Sequence, residues 1–544
     1  MDEFFKLLDN VKTALKSGWP PEKLRDNLEK LHRILESKSK SKSIRCENEF
    51  LYLKSKCLVA EAFDYLGDTK AAKEVIEAEG AETLDRLQKK KKINEGEEII
   101  LREEIRLCLD YAHFVLYRGN RYEDAKTQVR WCRDFVMERL KDAERFPCFG
   151  TLAKAEYYLG RICMRQNEHE QAEICFERAI HYYDKRAESM KDKCTDKKKL
   201  EEELAFSEHK AGLCLGLGLG WNNYHQGRLK MALRNNVTPA RMMLRRTEDA
   251  LNRAYLQLLF GSILRSLAGR RDKDRLQEAI DNISQAQDVF KVYGHRPYLA
   301  RAAYELSKAY YYGNDLDKAE SALRAAEAAT AAEPDPEETK DRIWECRALI
   351  VRSRIDRSLR RYPQAFDRAS QALRLAEDRN QVQYQIEALV AQGEALMALG
   401  DIVKAQKAFK LALARNTEPG SDGEGKHSNP KFEAVCILHL ARCYVTGRML
   451  RPAQAQFDRW RELRGQIELG IIHEMAEDVE AEITELNKDF VIRADTNDLR
   501  YEKHKKALQM FLIERATRKG LSLQQIADAL KVSRQTLFQW QRTK

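Results

Sequence analysis

The chain has 544 residues, 33% of them charged, with 25 glycines, only 11 prolines and a net charge of +10. With strand-like alternation scarce, that composition points to an all-α protein of three to four domains or one extended repeat array. No apolar run approaches the roughly 18 residues of a membrane span, and the twelve scattered cysteines form no CxxC pair, so they read as reduced packing thiols of a cytoplasmic protein and not as a disulfide or metal framework.

Residues 1–45 are expected to form N-terminal helices. MDEFFKLLDNVKTALKSG carries acids where a secretory leader needs bases, so it reads as an amphipathic helix, and Pro20 and Pro21 mark the start of a second one. SKSKSKS, Ser37 to Ser43, reads as a solvated loop, and KKKKI, Lys89 to Ile93, as a solvated helix end.

From about residue 46 a unit of helix, turn and helix recurs. AEYYLGRICMRQNEHEQAEICFERAI places Leu159, Gly160 and Cys163 on its first helix and Ala172, Phe176 and Ala179 on its second. YELSKAYYYGNDLDKAESALRAA repeats the pattern with Ser307 and Ala319, and AQGEALMALGDIVKAQKAFKLAL with Gly393 and Ala405. In all three a small residue precedes an alanine by twelve positions. Small side chains let two antiparallel helices approach, and larger ones fill the space between neighbouring pairs. This pattern resembles the tetratricopeptide repeat (TPR), which implies an α-solenoid. Weaker copies surround Gly67 and Ala72, Gly119 and Ala125, Gly227 and Ala232, Ser353 and Ala365, and Ala441 and Ala453. One around Gly261 and Ala279 needs a longer turn at AGRRDKDR. The expected array is about nine repeats over residues 46–460, with a charged helix at 183–206 and a flexible Gly/Pro/Ser-rich loop at 416–430.

The resemblance implies a concave face lined by the first helix of each pair. Carried onto this chain, its inward positions include Lys154, Tyr157 and Arg161, then Trp221 and Tyr224, then Arg301, Tyr304, Lys308 and Tyr311, then Arg347, Arg354 and Arg357, and last Arg442. Acids on the same positions are Asp110, Glu387 and Glu394. A basic groove interleaved with aromatic rings suits an acidic or extended protein or peptide segment, or a nucleic acid strand. A register error of one residue would instead make Trp221 and Tyr304 packing residues.

After the array, residues 461–487 are expected to continue as a capping helix, with a linker at 488–500 where DFVIRADTNDLR breaks the helical period. Residues 501–544 hold ten Lys or Arg against three Asp or Glu, so +7 of the net +10 sits there. In LSLQQIADALKVSRQTLFQWQRTK, Ser522 is an N-cap, and Ile526, Ala527, Leu530, Val532, Leu537 and Trp540 have the spacing of a helix-turn-helix pair. VSRQTLFQW resembles the recognition-helix region of Fis-like and resolvase-like domains, with Lys531 where that family usually has glycine. The resemblance implies DNA contact by Ser533, Arg534, Gln535, Gln539 and Arg542, and Lys505 is placed to meet phosphate. One such module per chain favours a homodimer on paired half-sites.

No chemistry is expected. GLGLGW, Gly216 to Trp221, lacks the Lys-Ser/Thr ending of a phosphate loop, and HEMAE lacks the second histidine of a zinc-protease helix. No cofactor and no metal site are implied. The parts resemble bacterial regulators that couple a TPR sensor to a helix-turn-helix. Two readings follow: a DNA-binding regulator whose solenoid senses an effector, or a scaffold whose tail serves protein contact or non-specific nucleic-acid anchoring.

Overall fold

The computed structural model describes residues 2–17, 21–37, 44–45, 48–90, 98–119, 121–139, 148–166, 168–245, 249–331, 342–378, 381–417, 429–490, 511, 513–514, 522–529, 533 and 535. All regular structure among them is helical. The chain divides into two units, residues 1–480 and 481–544.

Local polar residues set where helices begin. Asn48, Asp68, Asp196, Asp249 and Asp272 each accept a hydrogen bond from the backbone N–H three residues on, which satisfies a donor that the first helical turn leaves unpaired. Asp2–Ser17 and Pro21–Glu36 form a first helix pair. Among the described residues, nine further hairpins follow, from Glu49–Tyr65 with Thr69–Lys89 to Pro430–Thr446 with Leu450–Leu463. The unit is an α-solenoid of TPR-type hairpins.

The small residue on the first helix of the repeat has a steric basis. A Cβ on Gly160 would lie 2.7 Å from the Phe176 ring, and one on Gly393 2.5 Å from the Phe409 ring. Each ring therefore occupies the volume that a side chain on the first helix would need. At the corresponding step of another hairpin, the Ser353 hydroxyl donates to the Ala365 carbonyl at 2.7 Å. GLGLGW is close packing as well. It winds as a π-helical turn over Cys214–Gly220, and a Cβ on Gly216 or Gly218 would strike Leu256 or Phe176 at 2.4 and 2.6 Å.

Four expectations change. The charged stretch at 183–206 is not one helix, since one ends at Lys193 and the next starts at Lys197, and residues 488–490 of the expected linker are still helical. The turn of the hairpin around Gly261 is longer by only one residue: four residues separate Ala250–Ala268 from Lys273–Tyr293, against three in the hairpins of Gly160 and Gly393, and the rest of the extra spacing lies in the long helices. The capping helix is not continuous with the last hairpin. A single 3-10 turn at Arg464–Gln466 interrupts it, and the helix restarts as Gly470–Phe490. Gly470 is needed there, because a Cβ would meet the Leu267 carbonyl oxygen at 2.5 Å.

The solenoid closes on itself at two places. The Tyr65 hydroxyl donates to Asp249 at 3.0 Å and its ring meets Tyr293 edge-on, while Gly67, at φ +79°, lies under the His295 ring. Further along, the backbone N–H groups of Arg270 and Arg271 donate to the Glu474 carboxylate at 2.8–3.0 Å. Asn429 joins the ends of the 416–430 loop to another hairpin, since it exchanges bonds with Asn416 and donates to the His225 carbonyl.

In the second unit, Ser522 and Gln525 form a reciprocal capping box at the start of the helix Leu523–Ala529, and Ile526 and Ala527 are buried. Residues 38–43, 91–93 and 418–428, and the linker from 491, lie outside the described residues.

Candidate ligand-binding groove

Several arginines on the inner helices, and Arg270 in the turn after one of them, donate to tyrosine hydroxyls. Arg165 donates to the Tyr117 hydroxyl at 3.2 Å, Arg265 to Tyr224 at 2.7 Å, and Arg357 and Arg270 to Tyr311 at 3.1 and 3.3 Å. Arg301 donates to Tyr255 and Arg347 to Tyr384. Arg–Tyr pairing between neighbouring hairpins recurs because each first helix offers the same inward positions. A neutral hydroxyl satisfies a guanidinium N–H without supplying a counter-charge; Arg265 and Arg357 take theirs from Glu305 and Glu394.

The expected groove residues divide into two stretches. In the first, Arg161 lies over the rings of Tyr117 and Tyr157, and Arg301 lies 3.6 Å from the centroid of Trp221. Trp221 and Tyr304 are buried, so they act as platforms beneath cations and not as open surface. Burial pushes the Arg301 guanidinium below its ordinary range, and Arg347 adds to this against the opposing Tyr255. Burial alone would raise the Tyr117 hydroxyl, but Arg165 and Arg161 outweigh it and bring it to about 8.

Not every expected cation contributes free charge. Lys154 is held by Glu61 at 2.6 Å and by Asp110 at 2.5 Å. Arg354 and Arg357 share Glu394, each at 3.5 Å, with His439 on its other oxygen at 3.2 Å. Burial opposes ionisation of Glu394, but the two arginines hold it well below the usual carboxylate range.

The second stretch lies under the chain's own helix. Residues 469–478 cover a cavity of about 310 Å³ whose walls include Tyr224, Lys308, Tyr311, Arg354, Arg357 and Arg442 of the expected groove. Sequence reasoning missed Arg265, Lys431 and Glu474 in the same walls. Arg265 pairs with Glu305 at 2.9 Å deep in the core. Burial opposes the Glu305 charge, and Lys308, Arg265 and other cations draw it down to about 2. Arg265 lies four residues after Gly261, as Arg357 lies four after Ser353, so the same spacing could have found it.

In the C-terminal unit, Ser533 and Gln535 are exposed. Arg534, Gln539, Arg542 and Lys505 lie outside the described residues. Among the described residues no cluster of His, Cys, Asp or Glu could hold a metal ion, and no helix is long and apolar enough to cross a membrane.

No family model and no curated protein matches the chain. Among solved structures, it is similar to a Rap protein complexed with Competence and Sporulation Factor, at 14% identity and TM-score 0.48, over 78% of this chain and 99% of that one. It is also similar to yeast Tom70, at 15% identity and TM-score 0.37, over 91% and 94%. A third is aspartyl phosphate phosphatase F from Bacillus subtilis, at 15% identity and TM-score 0.34, over 71% and 93%.

Proposed function

We propose that this chain is a non-catalytic regulator that binds an acidic, extended protein or peptide segment on its concave face and DNA through its C-terminal unit. The observation that carries the first half is the pairing of inner arginines with neutral tyrosines and Trp221. Arg301 is the clearest case: Tyr255 and Trp221 order and partly desolvate it, and neither carries a counter-charge that a carboxylate-bearing segment would have to displace. The second half rests on the +7 balance of residues 501–544 and on the helix-turn-helix spacing, to which the capping box at Ser522 adds local support.

The test is DNA binding across a salt series, for the full chain and for a chain ending at Asp498. Under this reading binding depends on the tail. Arg534→Ala or Gln535→Ala then alters sequence preference, and Lys505→Ala lowers the salt slope by about 1. Equal binding by both chains would leave a scaffold that does not use DNA.

A further inference from the structure

The cavity under residues 469–478 holds a charge imbalance that the fold does not resolve. Eight Lys or Arg and four Asp or Glu side chains line it. Glu305, in contact with Arg265 and Lys308, and Glu477, paired with Arg271, bring the carboxylates to six; eight less six leaves two positive charges over. We propose that this cavity is a binding site for a small organic phosphate, a dianion attached to an apolar or aromatic body. It excludes Arg161 and Arg301, so it is separate from the groove stretch described above and does not depend on what that stretch binds.

Three observations point to this chemistry. First, the cations are poorly matched within the protein. The nearest carboxylate oxygen to Lys308 is 3.8 Å away, on Glu305, which Arg265 holds more closely. The Arg357 and Arg265 Nε atoms and His439 Nδ1 are buried without a hydrogen-bond partner. Burial lowers both Lys308 and Lys431, so the fold bears a cost that an anion would offset. Second, the donors suit phosphate: guanidinium forks supply paired N–H groups and ammonium groups supply point charge. Tyr311, Tyr312, Phe432 and Ile472 supply a wall for the rest of the ligand.

Third, the enclosure selects for size. The cavity is at the small end of ligand sites, roughly 300–1,000 Å³. Glu474 is fastened to the Arg270 and Arg271 backbone, Arg271 pairs with Glu477 and Asp478, and Asp478 reaches Arg442 at 3.9 Å. A polypeptide segment would have to displace this helix, whereas a small molecule fits beneath it.

The test is calorimetric titration of the full chain with inorganic phosphate, pyrophosphate, adenosine monophosphate and adenosine, with thermal unfolding followed alongside. It is repeated on Lys308→Met and Lys431→Met. Saturable binding of at least one phosphate compound with a rise in Tm, and none of adenosine, is expected. Each variant should bind roughly tenfold or more weakly while its ligand-free Tm stays at or above the parent's, because a desolvated cation has been removed. The proposal is overturned if none of the three phosphates binds, if adenosine binds equally well, or if both variants bind like the parent. Mutual exclusion between the bound phosphate and an acidic decapeptide would also overturn it, by making the cavity the end of the peptide groove. Loss of decapeptide binding in Arg301→Glu, with phosphate binding intact, tests the groove reading by itself.

Discussion

The guanidinium of Arg301 lies 3.6 Å from the ring centroid of Trp221, which is itself 2% exposed. A buried indole positions the cation without neutralising it. This geometry separates two properties that an ordinary salt bridge couples. Arg301→Lys keeps the charge but loses the planar stack and the Tyr255 bond, and should weaken an acidic decapeptide by a few-fold. Arg301→Glu should weaken it by tenfold or more. Fluorescence anisotropy of the labelled decapeptide measures both, and equal affinity in parent and Glu variant would remove the groove assignment.

Gly160 and Gly393 make a second prediction. Alanine at either position brings a Cβ within 2.7 or 2.5 Å of a buried phenylalanine ring. The ring has to leave its packed position, at a cost of about 1–3 kcal/mol read from the urea midpoint. Gly400, at φ +84° with open space around its Cβ position, is the control for backbone strain alone.

Those glycines also show why part of the fold was legible in the sequence. The contact between Gly160 and Phe176 spans sixteen residues within one hairpin, so its signature is local and repeats. The all-helical solenoid follows from such spacings. Tyr65 and Asp249 are 184 positions apart, and Arg270 and Glu474 are 204 apart. No periodicity encodes those closures, because they arise from the accumulated rotation of hairpins. From sequence, residues 469–478 therefore read as a simple continuation of the array, and nothing local marks them as the cover over Lys308 and Arg357. Lys154 shows a further limit. Its inward position could be read from the repeat, but its neutralisation by Glu61 of another hairpin could not.

Lys308 gives the pH dependence its sign. Burial pushes it from 10.5 down to about 7; Glu305 and Glu387 oppose the shift, and Arg265 and Lys431 reinforce it. Between those two pH values the unfolded chain holds a proton that the folded chain has released. Stability from this group therefore rises with pH from about 7 towards 10.5, and below 7 the folded state bears the full cost of the buried charge. In Lys308→Met this part of the rise should vanish from urea unfolding measured between pH 7 and 10. A bound dianion reverses the preference, because it stabilises the protonated amine. Binding of adenosine monophosphate near pH 8 should then take up protons, seen as a dependence of calorimetric heat on the ionisation enthalpy of the buffer. Parent and variant with the same buffer dependence would dissociate Lys308 from the site.

Glu474 fastens the helix that covers the same cavity. Its carboxylate accepts from the backbone N–H groups of Arg270 and Arg271, and a Cβ on Gly269, at φ +66°, would lie 2.7 Å from its Oε1. The neighbouring ion pairs of Arg271 are exposed, so screening leaves them little strength. The backbone-to-carboxylate bonds are thus the main polar attachment of residues 470–478 to the turn at 269–272. In Glu474→Ala these residues should exchange backbone amides with deuterium faster, while the core helices around Phe290 and Ile283 exchange as in the parent. Gly269→Ala should act in the same direction by forcing the carboxylate away. Both variants leave the lining cations in place, so adenosine monophosphate should still bind but dissociate faster. Unchanged exchange at 470–478 in both would mean that apolar packing of Leu469 and Ile472, and not Glu474, holds the cover closed.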